Sequence, residues 1–233
     1  MPDPAALGQP IQEWVAALGD WIGALPSWIE AAVGRDPRLG YLALGLAMLL
    51  ENLIPPIPSE LIQPLGGVLV QQGRLQLVPV ILVGVAGTVL GAWFWYGVGR
   101  WIGEERLLVL LERHGSWLGI GPAEVAISRA WFARYGFGLV LWGRLVPGIR
   151  TLISVPAGLE KMGQGPFLLA TLSGSLIWVT ALTLAGRALG AGYGEVLALS
   201  GPYAKAFQRL LLALALVALG GLAWRAHRRS PEP

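Results

Sequence analysis

A chain of 233 residues that is 55% hydrophobic and only 13% charged, with a mean hydropathy of +0.60, reads as a polytopic, all-α membrane protein. Its net charge of +3 is small, and no basic, aromatic-rich stretch points to nucleic acid. The lack of cysteine excludes disulfides and thiolate metal sites, while 33 glycines and 11 tryptophans suit closely packed membrane helices with interfacial anchors.

The first residues lack the basic segment and following apolar run of a cleavable signal peptide, so none is expected. Over residues 11–33, Trp14, Leu18, Trp21, Ile22, Leu25, Trp28 and Ile29 recur at helical spacing, with Glu13, Asp20 and Glu30 off that stripe. Trp14, Trp21 and Trp28 on one face predict an amphipathic helix in the headgroup layer, which makes residues 1–36 an N-terminal interfacial segment. The alternative is a first spanning helix, which would bury Asp20 at a cost of about 2.5–3.5 kcal/mol.

Leu39 to Leu50 is the next apolar run, too short for the about 20 residues that a spanning helix needs. It ends in Glu51-Asn-Leu-Ile-Pro-Pro-Ile-Pro-Ser-Glu60, so a carboxylate, Pro55, Pro56, Pro58 and a second carboxylate stand where the helix should continue. At membrane depth such a break survives only where protein or a water-filled cavity shelters the freed backbone groups. Ser59 after Pro58 is a candidate cap for a returning half-helix, which predicts a re-entrant hairpin over residues 40–69.

Gln71 to Arg74 reads as a polar turn and Leu75 to Val98 as a spanning helix, whose Gly87 and Gly91 form a close-packing pair. Residues 100–135 carry five arginines, four glutamates and His114, and read as a solvated helical connector. Tyr135 to Trp142 is a second truncated apolar run. It leads into Gly143-Arg144-Leu-Val-Pro147-Gly148-Ile-Arg150-Thr151, with Pro156-Ala-Gly158 beyond, which predicts a second hairpin over residues 132–159.

The two breaks are copies. At an offset of 92, Leu53, Pro55, Ile57, Pro64 and Gly66 match Leu145, Pro147, Ile149, Pro156 and Gly158. At an offset of 87, Gly87-Thr88 matches Gly174-Ser175, Gly99-Arg100 matches Gly186-Arg187, and Gly103 matches Gly190. One repeat covers about 38–103 and the other about 132–190, within a transport domain of residues 37–190. Paired interrupted helices in corresponding halves are the sequence pointer to a transporter site. Pro166 to Ala185 spans, Leu210 to Trp224 is a last short membrane helix, and Arg225 to Arg229 is a basic tail closing residues 191–233. The tail predicts a cytoplasmic C-terminus. Counting spans backward then brings the two hairpins in from opposite faces, as an inverted repeat.

The stretch Gly-Arg144-Leu-Val-Pro-Gly-Ile-Arg150-Thr-(x)4-Pro-Ala-Gly, with Glu51-Asn, Pro-Pro-Ile-Pro-Ser-Glu60 and Trp95-Tyr-Gly-Val-Gly-Arg100, resembles the DedA family of bacterial inner-membrane proteins. The resemblance covers roughly residues 38–190. Two departures stand out: Glu60 takes the place of a family aspartate, and Ala92 occupies another. The resemblance implies two re-entrant hairpins and roles for Glu51, Glu60, Arg144 and Arg150. It also implies residence in the bacterial inner membrane and transport of undecaprenyl phosphate, coupled to protons or membrane potential. Eukaryotic relatives resemble lipid scramblases.

The residues point the same way independently. Arginine grips phosphate through a planar fork and does not deprotonate in proteins. Thr151 lies at the start of a half-helix, where backbone donors favour an anion. Arg144, Arg150, Thr151 and Ser59 are therefore candidate ligands of a polyprenyl phosphate or other anionic lipid, and Pro55, Pro56, Pro58, Pro147, Gly148 and Pro156 are the residues that break the helices. Glu51 and Glu60 are the candidate proton carriers: a phosphate drawing on the arginines would favour proton uptake by a neighbouring acid. The competing structural role is mutual neutralisation of acids and arginines as buried ion pairs, a poor source of net stability. A broader proton-coupled transporter or phospholipid scramblase is the functional alternative. A lipid phosphatase would need a nucleophile or metal, usually with histidine, and the only histidines, His114 and His227, lie in the connector and tail, with no metal-ligand cluster in the sequence. No cofactor or metal is expected, and a homo-oligomer is compatible with the sequence.

Overall fold

In a computed structural model, the backbone is described at residues 20–21, 23–54, 59–118, 122–146 and 149–192, and side chains there except at 61, 104–129, 133 and 191. Among these residues every regular element is helical: α1 (23–35), α2 (Pro37–Leu53), α3 (Ser59–Gln71), α4 (Leu77–Leu118), α5 (Pro122–Gly143), α6 (Ile149–Leu152), α7 (Ser154–Leu159) and α8 (Gln164–Leu189), with a short 3-10 turn at Gly190–Gly192. Trp14, Leu18, Ile22, Pro55, Pro56, Pro58, Pro147, Gly148, the side chain of His114 and everything predicted beyond residue 192 lie outside the described residues.

Among the described residues, two helices are long and apolar enough to cross a membrane: Leu77–Gly103, with a mean hydropathy of 2.2, and Gln164–Leu189, at 1.8. Both carry outward-facing apolar side chains, among them Leu82, Leu90 and Phe94 on the first and Leu169, Leu172 and Ile177 on the second. α4 continues past its apolar part but bends at Gly103, where φ is 64°; its repeat partner Gly190 ends α8 at φ 50°. The apolar part of α4 and the whole of α8 thus end at a glycine of positive φ, a conformation costly for residues with a Cβ.

The chain divides into two compact units, Met1–Thr88 with Val179–Gly190, and Val89–Trp178 with Ala191–Pro233. Their boundaries differ from those of the repeats. In the first unit α2 is opened by Asp36, whose carboxylate accepts from the Arg38 N–H at 2.7 Å, with Pro37 at the first helical position. α2 stops at Ile54, and α3 folds back against it. α1 buries Leu25, Ile29 and Val33 but leaves Trp28 56% exposed, its ring edge-on to Trp21. In the described part of the predicted stripe, Leu25 and Ile29 face protein and Trp28 faces outward.

The reason each unit takes a segment from the far repeat lies in its glycines. A Cβ at Gly67 would strike the Thr183 carbonyl and the Arg187 nitrogen, and one at Gly186 would strike the Pro64 backbone, so α3 and the end of α8 touch backbone to backbone. In the second unit the same lock recurs between α7 and α4: Gly158 meets the Tyr96 carbonyl and Arg100 nitrogen, and Gly99 meets the Val155 carbonyl. Such contacts give close helix packing where apolar burial offers no gradient between helices and lipid. The contacts also correct the register of the return helices. Gly67, not Gly66, is the counterpart of Gly158, and Pro64 corresponds to Val155 rather than Pro156.

The outgoing helices use a second pair. Gly87 packs on α2 at Gly45, Met48 and Leu49, while Gly174 packs on α5 at Leu141 and Arg144. In the second unit Tyr96 and Phe167 stack with centroids 4.3 Å apart, over a core that includes Ala92, Val140, Ala157 and Ala170. The Tyr96 hydroxyl donates to the Met162 carbonyl at 2.5 Å and accepts from Arg100 at 2.9 Å, which pins the turn after α7. Each return helix ends in the same capping pattern. The N–H groups of Gly73 and Arg74 bond Val70 and Leu69, and those of Lys161 and Met162 bond Gly158 and Ala157. Lys161 therefore occupies a left-handed position, φ 52°, that Gly73 fills in the first copy.

Candidate functional site

Within the first unit, the end of α2 delivers Glu51 and Asn52 to the interior; both are 1% exposed. A helix register that buries Leu44, Ala47 and Met48 carries positions 51 and 52 to the same side. The Asn52 amide donates to the Glu51 carboxylate at 2.7 Å and back to the Met48 carbonyl at 3.3 Å, so the acid is held by its own neighbour. Glu60 is different. It stands half-buried in the first turn of α3, where a helix favours a carboxylate. Ser59, at the opening of α3, is fully buried. One turn on, Pro64 removes the backbone donor that would reach the Glu60 carbonyl.

The same unit buries Gln63, whose amide donates to the Thr183 hydroxyl at 2.8 Å, which in turn donates to the Val179 carbonyl at 2.7 Å. The Gln63 carbonyl oxygen and the Thr88 hydroxyl are buried with no hydrogen-bond partner among the described residues.

Within the second unit the two arginines of the motif are both interior. Arg144 follows directly on α5, its N–H still bonded to the Val140 carbonyl, and at 1% exposure it is the largest fully buried side chain described. It donates to the Ser154 hydroxyl at 2.6 Å, and its Cβ lies against Gly174. Arg150, on α6, is 5% exposed, with its guanidinium 5.9 Å from the Trp178 ring centroid. That lies within the about 6 Å reach of a cation–π contact. Thr151 beside it is buried. α6 has only four residues, so it sums little helix dipole. The half-helix expected at Thr151 therefore offers an anion little dipole. Pro156 stands in the first turn of α7, where its missing N–H is tolerated, after a turn at Ile153.

Gly174 and Trp178 of α8 meet these arginines, and Thr171 and Ser175 share their side of the helix by spacings of three and four. The hydroxyls of Thr171 and Ser175 are buried with no hydrogen-bond partner among the described residues. Burying a hydroxyl unpaired costs roughly 1–3 kcal/mol each. The second unit thus assembles two guanidinium groups, the Ser154 hydroxyl and two further hydroxyls with spare hydrogen-bonding capacity. That set suits a compact anion with several acceptor oxygens. Ser154, Thr171, Ser175, Trp178 and Asn52 escaped motif reasoning. The available signal for Ser175 was its repeat match to Thr88; for Asn52 it was adjacency to Glu51.

A profile of the VTT domain matches residues 54–188. "Undecaprenyl phosphate transporter A" of Staphylococcus aureus is 32% identical over 69% of this chain and 79% of its own length. Its Bacillus subtilis namesake is 29% identical over 78% of this chain and 86% of its own. An "Alkaline phosphatase-like protein" of Lactococcus lactis subsp. cremoris is 34% identical, covering 78% and 86% respectively. No solved structure matches the chain.

Proposed function

Because the chain belongs to the VTT-domain, or DedA, family of membrane proteins, we propose that it carries a polyprenyl phosphate, of the undecaprenyl phosphate type, across the bacterial inner membrane. The observation that carries this reading is the pair of buried arginines, Arg144 and Arg150, the first bonded to Ser154, in a unit that also buries the hydroxyls of Thr171 and Ser175. A phosphate monoester offers several acceptor oxygens to donors of this kind, and guanidinium forks match its geometry. The names of the Staphylococcus and Bacillus relatives support the same head group.

The proposed cycle loads phosphate on Arg144 and Arg150, with Thr151 as a further ligand, and moves a proton through an intramembrane acid. Of the two acids, Glu51 is the better suited, since it is fully buried and steadied by Asn52, whereas Glu60 is half-exposed in a helix-stabilising position. The sequence repeat and the basic tail support hairpins that are re-entrant from opposite faces, with the C-terminus cytoplasmic.

The test is transport of a polyprenyl monophosphate into proteoliposomes by wild type, Arg144→Lys and Arg150→Lys, with ordinary phospholipid movement and inorganic phosphate release followed in parallel. Lysine keeps the charge and loses the fork. Loss of transport in at least one folded variant is expected. Equal movement of all lipids would favour a scramblase, and phosphate release would favour the activity that the Lactococcus name denotes.

A further inference from the structure

The motif segment between the arginines faces two ways. Arg144 and Arg150 turn inward at 1% and 5% exposure, whereas Val146 and Ile149 turn outward at 43% and 49%. On that outer side a groove of about 550 Å³ runs along α5, lined by Tyr135, Gly138, Trp142, Val146, Ile149 and Ile153 among others. Ile153 closes one end by packing on Gly143, where a Cβ would come within 3.2 Å of it. At the other end the Arg134 guanidinium lies 5.3 Å from the Tyr135 ring centroid and marks the return of charge. From Tyr135 to Gly143 the apolar floor extends about 12 Å at the rise of an α-helix. Gly138 opens that floor: a Cβ there would meet nothing within 4 Å.

We infer that this groove holds one hydrocarbon chain of the lipid whose phosphate occupies the Arg144–Arg150 cluster. The inference rests on the phosphate reading above and adds a second subsite to it. A segment charged on its inner side and apolar on its outer side is complementary to an amphiphile, and the groove's closed end lies in the same short segment as both arginines. A free phosphate or a water-soluble ester would use the inner side alone. The glycine at position 138 leaves room for a chain against the helix backbone, and the rings of Tyr135 and Trp142 give it broad apolar contact.

The experiment uses the full chain in liposomes and two probes, an isoprenyl monophosphate bearing a diazirine on its chain and the corresponding alcohol. After photolysis, labelled residues are located by mass spectrometry. Labelling of residues 135–153 is expected from the phosphate probe and at least about tenfold less from the alcohol. Gly138→Phe, which excludes two or more methylene groups from the groove, should lower it about tenfold. Gly97→Phe, at an exposed α4 glycine away from the groove with nothing within 4 Å of its Cβ, should leave it unchanged. Equal labelling by both probes would mean bulk lipid and overturn the inference. So would labelling confined to other helices, labelling untouched by Gly138→Phe, or a groove covered by a second copy in cross-linked dimers. Should Gly138→Phe fail to insert, the two-probe comparison on wild type decides alone. Failure of the phosphate reading looks different: Arg144→Gln with Arg150→Gln would then leave the phosphate probe's labelling as it was.

Discussion

Gly174→Ala is the most direct test of how α8 holds the arginine cluster. An alanine Cβ would lie 2.7 Å from the Arg144 Cβ and 2.8 Å from the Leu141 carbonyl oxygen, both parts of α5 and its immediate continuation that cannot swing aside. Carbon atoms in contact rest at about 3.5 Å or more, so α8 must retreat by about 0.8 Å or Arg144 must move. Overpacking of this kind costs about 1–3 kcal/mol, and a displacement approaching 1 Å at a binding group can lower turnover on the order of 10²-fold. The matched control is Gly97→Ala, where a Cβ has open space; it should gain about 0.5–1 kcal/mol from helix propensity. Thermal unfolding in detergent and proteoliposome transport of a polyprenyl phosphate, run on both variants, check the two effects. Wild-type stability and transport in Gly174→Ala would refute the close packing that sets Arg144. Equal damage in Gly97→Ala would show that any added helix methyl is harmful, and the positional argument would fall.

Glu51→Gln should still bind the lipid phosphate but lose the response of transport to an imposed pH gradient, and Glu60→Gln should keep it; a wild-type response in Glu51→Gln removes that acid from the coupling role. Ser175→Ala should weaken phosphate binding by about 1 kcal/mol, as expected for one hydrogen bond, read by titration against the wild type; unchanged affinity would assign Ser175 to packing. Gly67→Ala and Gly158→Ala should each be severely destabilising, by roughly 3 kcal/mol or more, because the added methyl strikes backbone that cannot yield. Lys161→Gly should raise stability by about 1 kcal/mol by relieving a left-handed conformation, visible as a higher melting temperature.

Composition and spacing were enough to specify the membrane class, two long apolar helices and the interruption after Leu53 and after Gly143, since hydrophobic run length and proline content are local properties. The motif residues Glu51, Arg144, Arg150 and Thr151 were legible for the same reason: charge inside an apolar segment stands out in one dimension, and all four prove buried. Three things were not legible. The repeats run in sequence from 38 to 103 and from 132 to 190, yet the compact units exchange the ends of α4 and α8, because glycine-to-backbone contacts link α3 to α8 and α7 to α4 across long sequence separation. The one-residue slip of the return helix followed from which glycine touches a partner backbone, and Gly66-Gly67 reads alike at either position. Thr171 and Ser175 join the site only because a helix turn brings them to the face of Gly174, against which Arg144 packs. Serine and threonine in an apolar helix ordinarily satisfy themselves on the preceding turn, so beyond the repeat match of Ser175 to Thr88 nothing in one dimension distinguishes the two that do not.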